Sequence, residues 1–205
     1  MPKVKLTKGE LKRQRDSLKQ FEHYLPFLQL KKQQIQLEIQ RLHANLRIKA
    51  QEIDTLEGEI AEWSGLLNEK DIDISGFIGK KETRLSSLNV AGVDIPVLEK
   101  VGFEEISYDL FFMPLWVDMA IDRIRALTVL LEEEKVFLKQ LDILEHELRI
   151  TTQRVNLFEK IKIPECRENV RLIRIYLGDQ QANAVGRSKI AKSKIARLAL
   201  EEVLL

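Results

Sequence analysis

An unbroken heptad constrains this chain more than any other feature. Counted from Leu11, the inward positions are Leu11, Gln14, Leu18, Phe21, Leu25, Leu28, Lys32, Ile35, Ile39, Leu42, Leu46, Lys49, Ile53, Leu56, Ile60, Trp63 and Leu67. Only Gln14, Lys32 and Lys49 among them are polar. A register held this long specifies a helix that lays one narrow apolar stripe along a partner helix. Thr7 is the expected N-cap, with Glu10 three residues on as in a capping box. Asn68 and the run Asp71–Gly76 are expected to end the helix. Some sixty helical residues span roughly 90 Å. Pro26 falls inside the run. It removes one hydrogen bond and crowds the preceding turn, so a kink near Glu22–Pro26 is expected, with two separate helices as the alternative.

Residues 69–115 change character. Gly76, Gly79, Gly92, Gly102, Pro96 and Pro114 interrupt any helix. Leu85–Val90 and Val93–Val101, joined by Ala91-Gly92, read as a β-hairpin with Gly92 and Val93 at its turn. Pro96 cannot donate to a ladder, so its strand should be an edge. Phe103–Leu110 is either a further strand or irregular cover. A hairpin this small needs something to pack against.

The helical period returns at Leu115 in three stripes. The first is Val117, Ile121, Ile124, Thr128 and Leu131. The second is Phe137, Leu141, Leu144, Leu148, Val155 and Phe158. The third is Ile163, Cys166, Val170, Ile173 and Leu177. The jumps between them are stutters, which locally unwind a supercoil. Pro164 sits where the second stripe hands over to the third, so it should bend or loosen the helix there, with a break between two helices as the alternative. The resulting expectation is a mainly α fold. Residues 1–68 and 116–205 form a long antiparallel two-helix coiled coil, and residues 69–115 form a small hairpin region, all in one elongated unit. Its seam is Leu18, Leu25, Leu28, Ile35, Ile39, Leu42, Leu46, Ile53, Leu56 and Ile60 against Phe137, Leu141, Leu144, Leu148, Val155, Phe158 and Ile173.

Composition agrees with long amphipathic helices: 44% of the 205 residues are apolar, 32% are charged, and only nine are Gly. The net charge is +1, yet residues 1–20 carry +5 and residues 187–205 carry +3, leaving an acidic body. Antiparallel helices would gather both basic segments at one tip, with Lys8, Lys12, Arg13 and Arg15 beside Lys189, Lys192 and Lys194. Such a tip suits a protein socket, a solvated end or a phosphate backbone. The sparse aromatics and missing nucleic-acid signature weigh against the last. The run Glu132-Glu133-Glu134 reads as a solvated helix face, with a surface for a basic partner as the lesser reading. Trp63 and Trp116 should cap the core at the hairpin end.

Signs of catalysis are absent from the sequence. There is no GxxxxGK[ST] loop and no HExxH spacing. His23, His43 and His146 are scattered, Ser64 and Ser75 lack a nucleophile context, and Cys166 falls on a seam position. One cysteine permits no internal disulfide, which suits a reducing compartment. No signal peptide or 18-residue apolar span is evident, so no cofactor and no membrane span are expected.

Three landmarks carry a family resemblance. The opening Leu6-Thr7-Lys8-Gly9-Glu10-Leu11-Lys12 with Leu28-Gln29-Leu30-Lys31-Lys32 is the first. The hairpin Asn89-Val90-Ala91-Gly92-Val93-Asp94-Ile95-Pro96 is the second. The third is Arg154-Val155-Asn156-Leu157-Phe158-Glu159 followed by Ile163-Pro164 and Ile173. Together they resemble the D subunit of V/A-type rotary ATPases, closest to bacterial members. The resemblance implies a non-catalytic central rotor stalk that passes torque between the ATP-handling head and a membrane ion-translocating ring. It implies as partners the catalytic and non-catalytic head subunits, the small rotor F subunit and a membrane-rotor socket subunit, with no nucleic acid. It also implies a peripheral position on the cytoplasmic face of a membrane. The other classes in play are a prefoldin-like chaperone and a nucleic-acid-binding helical arm.

Overall fold

The computed structural model describes residues 4–63, 65, 78–104, 114 and 116–203, with side chains to 197. Its elements are α1 (Lys8–Trp63), β1 (Lys81–Val90), β2 (Val93–Phe103), α2 (Trp116–Leu157), a π-helical turn (Phe158–Lys162) and α3 (Ile163–Val203). Among the described residues the fold is mainly helical with one two-stranded sheet, as the heptad and the glycine-rich middle predict. Contacts divide the chain into two compact units, residues 1–29 with 153–205 and residues 30–152.

Helix α1 starts where the sequence places it. Thr7 Oγ1 accepts from the Glu10 amide at 3.3 Å, and Thr7 O accepts from the Leu11 amide. The reciprocal half of the capping box is not made. The Thr7 amide donates to Lys5 O, while the Glu10 carboxylate accepts from Gln14 Nε2 at 2.8 Å. The helix runs through Pro26 without interruption. Asn68, Asp71–Gly76 and most of Phe103–Leu110 lie outside the described residues.

The unit of residues 30–152 has three layers. Ile35 and Leu42 from α1, Ile95 from β2 and Leu144 from α2 form one buried cluster, with Ile39, Phe137 and Leu148 packed against it. The helices run antiparallel. Ion pairs Lys31–Glu147, Lys49–Glu133 and Glu59–Arg123 join rising α1 numbers to falling α2 numbers. A second cluster, Val117, Ala120 and Ile121, is covered by Trp63, Trp116, Ile78 and Ile124, so both tryptophans do line a core.

The hairpin finds its support on these helices. Its turn has Ala91 at φ 52° and Gly92 at φ 77°. Two positive φ values make the type I′ turn that matches strand twist. Asn89 fixes it, accepting from the Gly92 amide at 3.0 Å and donating to Asp94 Oδ1 at 2.6 Å. Val90, Ala91 and Val93 press onto the buried cluster, which gives Ala91 a reason to occupy a conformation usually left to glycine. The strands extend beyond the predicted ends, pairing Lys81 with Phe103 and carrying an irregularity between Arg84 and Leu85. At the base, Gly79 has φ 79° and no room for a Cβ beside the Glu104 carbonyl.

The other unit is simpler. Phe21 of α1 meets Phe158 with ring centroids 5.0 Å apart, and Glu22 pairs with Arg167 at 2.7 Å. Val155, Ile163, Cys166, Val170 and Ile173 are buried. The predicted stutter at Pro164 takes a definite form here. Phe158–Lys162 is a π-helical turn, in which the Ile163 amide donates to Phe158 O, five residues back.

Candidate interaction surfaces

Among the described residues no group of three or more His, Cys, Asp or Glu is placed to hold a metal ion. No described helix is long and apolar enough to cross a membrane. Cys166 lies buried, and that burial, followed by the Glu165 charge, pushes its thiol upward, away from the reactive thiolate.

The expected seam residues divide by burial. Ile35, Leu42, Ile53, Leu56, Leu144, Val155 and Ile173 are buried, and Leu18, Leu25, Leu28, Ile39, Leu46, Ile60, Phe137, Leu141, Leu148 and Phe158 are half-buried. Of the polar inward positions, Lys49 answers Glu133 at 2.8 Å and Glu52 at 2.9 Å. These acceptors, Glu133 first, hold its ammonium above the ordinary lysine range.

Within the acidic run on α2, Glu132 and Glu133 pair with lysines of the same chain. Glu132 Oε1 takes Lys81 Nζ of β1 at 2.7 Å and Lys135 Nζ at 2.8 Å, leaving its side chain 14% exposed. Lys135 and then Lys81 lower its carboxyl below the usual range. Its partners are bases of the same chain, and they dock the hairpin. Gln140, 4% exposed, adds a second tie by donating Nε2 to Pro96 O at 2.5 Å. The sequence reading missed Gln140 because an isolated glutamine inside a leucine stripe carries no signal of its target. Gly92, Val93 and Pro96 therefore belong to a docked turn and strand.

The basic residues separate along the helices. Lys8, Lys12, Arg13 and Arg15 are exposed on the first turns of α1, and Lys189, Lys192 and Lys194 are exposed on α3. Glu10, Arg13, Gln14 and Ser17 share an open cleft of about 360 Å³ with Lys162, Glu165, Cys166 and Asn169. Lys189 lies about 30 Å farther along α3 than Asn169, at 1.5 Å per residue. The two basic groups therefore do not share one level, and Met1 and Leu205 lie outside the described residues. Beyond half-buried Leu177, every residue of α3 to Arg197 is exposed except half-buried Gly186. Val185, Ile190 and Ile195 are among those exposed.

Other apolar side chains also face outward. On α1, Leu30, Leu37 and Ile48 are each more than half exposed. Their spacings of seven and eleven put them on one face. The heptad written for the inner stripe hid this second stripe, which a full helical projection would have displayed. Separately, Tyr24 and Phe27 are exposed with His23 edge-on to both rings.

Known proteins match this chain over nearly its whole length. The family described as the D subunit of ATP synthase matches residues 10–193. Borreliella burgdorferi has a V-type ATP synthase D subunit that is 46% identical over 197 residues, covering 96% of this chain and 97% of the relative. Proteins of the same name in Chlamydia pneumoniae and Chlamydia abortus are 32% and 34% identical, each aligned over 94% of this chain and 93% of the relative. With a two-helix scaffold, a docked hairpin and this similarity from end to end, the chain belongs to the family of V-type ATP synthase D subunits.

Proposed function

We propose that this chain is the central rotor stalk of a V-type ATP synthase, carrying torque between the ATP-handling head and the membrane ion-translocating ring. The observation that carries the reading is the bare end of α3. About twenty residues continue past the last packed seam position with apolar Val185, Ile190 and Ile195 in water. An isolated helix of this length is marginal in water. It gains its stability from a surrounding partner, which the head subunits would supply. The cations on that end then meet carbonyl or acidic groups of the socket.

In this reading the chain makes and breaks no bonds, and ATP chemistry belongs to the head subunits. The small rotor F subunit and the socket subunit above the ring complete its contacts, at the cytoplasmic face of the membrane. Torque passes through packed side chains, so the requirement is a seam that does not slip. The inward rows of α1, α2 and α3 meet that need.

The test is a chain ending at Leu177, reconstituted with the head subunits and the small rotor F subunit. The truncated chain is expected to keep its helical content per residue and its thermal midpoint but to lose coupled ATP turnover. Full coupling by the truncated chain would remove the basis of the assignment.

A further inference from the structure

The buried row of residues 153–205 contains one residue too many. Its inward positions run Val155, Phe158, Ile163, Cys166, Val170 and Ile173. Each step but one is three or four residues, the spacing that keeps an α-helix facing one partner. The step from Phe158 to Ile163 is five. The backbone absorbs it by widening into the π-helical turn, with the Ile163 amide reaching Phe158 O. Such turns are rare, occur mostly as single insertions inside α-helices, and are frequent at functional sites.

We propose that Phe158–Lys162, pinned by Pro164, is a torsional joint, a short stretch where α3 turns about its axis relative to the turn 153–157 that precedes it in the same unit, while the seam residues on either side stay seated. The proposal stands on this unit alone and does not need the rotor reading.

Several independent features converge on that stretch. None of the five residues is buried, and Glu159, Lys160 and Ile161 are exposed, so little side-chain packing resists rotation. Both ends are anchored, one by the Phe21–Phe158 ring pair and the other by buried Ile163. Just past the turn, the cleft of about 360 Å³ bounded by Gln14, Phe21, Lys162 and Cys166 leaves space beside the seam. Pro164 follows at once. It has no amide to offer the turn before it and would crowd a regular helix there. The wide turn removes that conflict, and the proline in turn keeps the wide turn from migrating toward the C-terminus. Twist applied to α3 is thus taken up between two seam anchors, where Glu159, Lys160 and Ile161 are exposed.

Removing the extra residue gives a direct test. Deletion of Ile161 together with Pro164→Ala brings the inward spacing to an unbroken alternation of three and four, so a regular α-helix fits the same seam. Amide hydrogen exchange on the isolated full chain should show positions 159–163 opening about tenfold faster than those near Val155 and Val170. In the double change the difference should vanish and the thermal midpoint should rise. In Pro164→Ala alone, fast exchange should persist and spread toward the C-terminus. Exchange at 159–163 as slow as the flanks in the unaltered chain would overturn the joint. So would a double change that lowers the midpoint and leaves exchange as it was, because the wide turn would then be a packing requirement.

Discussion

The two units solve the same problem with different means. Residues 30–152 hold α1 to α2 through a third layer, the hairpin, whose Ile95 joins Ile35, Leu42 and Leu144 in one cluster. Residues 1–29 with 153–205 have helices alone. Their seam carries a ring pair, a polar cleft, a wide turn and a helix end whose described side chains past Leu177 are almost all exposed. A two-helix seam offers each residue few neighbours, while a third layer encloses the inward side chains on more sides. Side chains of equal burial therefore differ in how firmly their surroundings hold them. The hairpin unit should open rarely and as a whole, and the helical unit should open locally.

The sharpest way to break this contrast is to empty the three-layer cluster. Leu144→Ala should cost about 2–5 kcal/mol, because the surrounding elements are tied and collapse little into the gap. Ile173→Ala, equally buried, should fall at the low end of that range, since two helices close up more readily. Thermal or denaturant unfolding of both variants measures the gap, and equal losses would erase the distinction between units.

Next in size is the hairpin base. Gly79→Ala places a Cβ against the Glu104 carbonyl at a positive φ, with an expected loss of about 1–3 kcal/mol. Amide exchange of β1 and β2 should accelerate while that of α3 stays unchanged. A smaller effect comes with acid. The Glu132 carboxyl is held below its ordinary value by Lys135 and Lys81, so its stabilisation is present above that ordinary value and lost as pH falls through the lowered one. Below about pH 4 the hairpin amides should lose protection, and Glu132→Gln should remove that part of the acid sensitivity. Smallest is Cys166→Ser, which should shift unfolding by about 1 kcal/mol and leave coupled turnover intact. A dead assembly would mean the thiol does more than fill the seam.

Much of this was legible in the sequence for a simple reason. A heptad encodes one neighbour at one distance, so the inward residues of α1 could be read from spacing alone, down to Ile35 and Leu42. The stutter at Pro164 was equally visible, because a five-residue step between Phe158 and Ile163 must be absorbed somewhere. What spacing cannot encode is a contact between elements far apart in the chain. Glu132 looked like solvent-facing charge because its partner Lys81 lies on a strand whose polar sequence, Lys81-Glu82-Thr83-Arg84, has no alternation to mark it. Gln140 and the Pro96 carbonyl were hidden for the same reason. The level of the two basic groups depended on where α1 begins relative to α3, and a repeating seam leaves such an offset undetermined.

The seating of the hairpin turn on Ile35 and Leu144 bears on how the polypeptide reaches this state. Those two residues are separated by on the order of 110 positions, a wide ring to close in a single encounter. Ile95 lies near the midpoint, in a segment that forms its own turn from neighbours. The encounter can therefore happen as two successive ring closures of about half that size, each ending on a piece already made. The hairpin thus offers two distant helices a shared seat that each can reach through a shorter ring than their direct encounter requires.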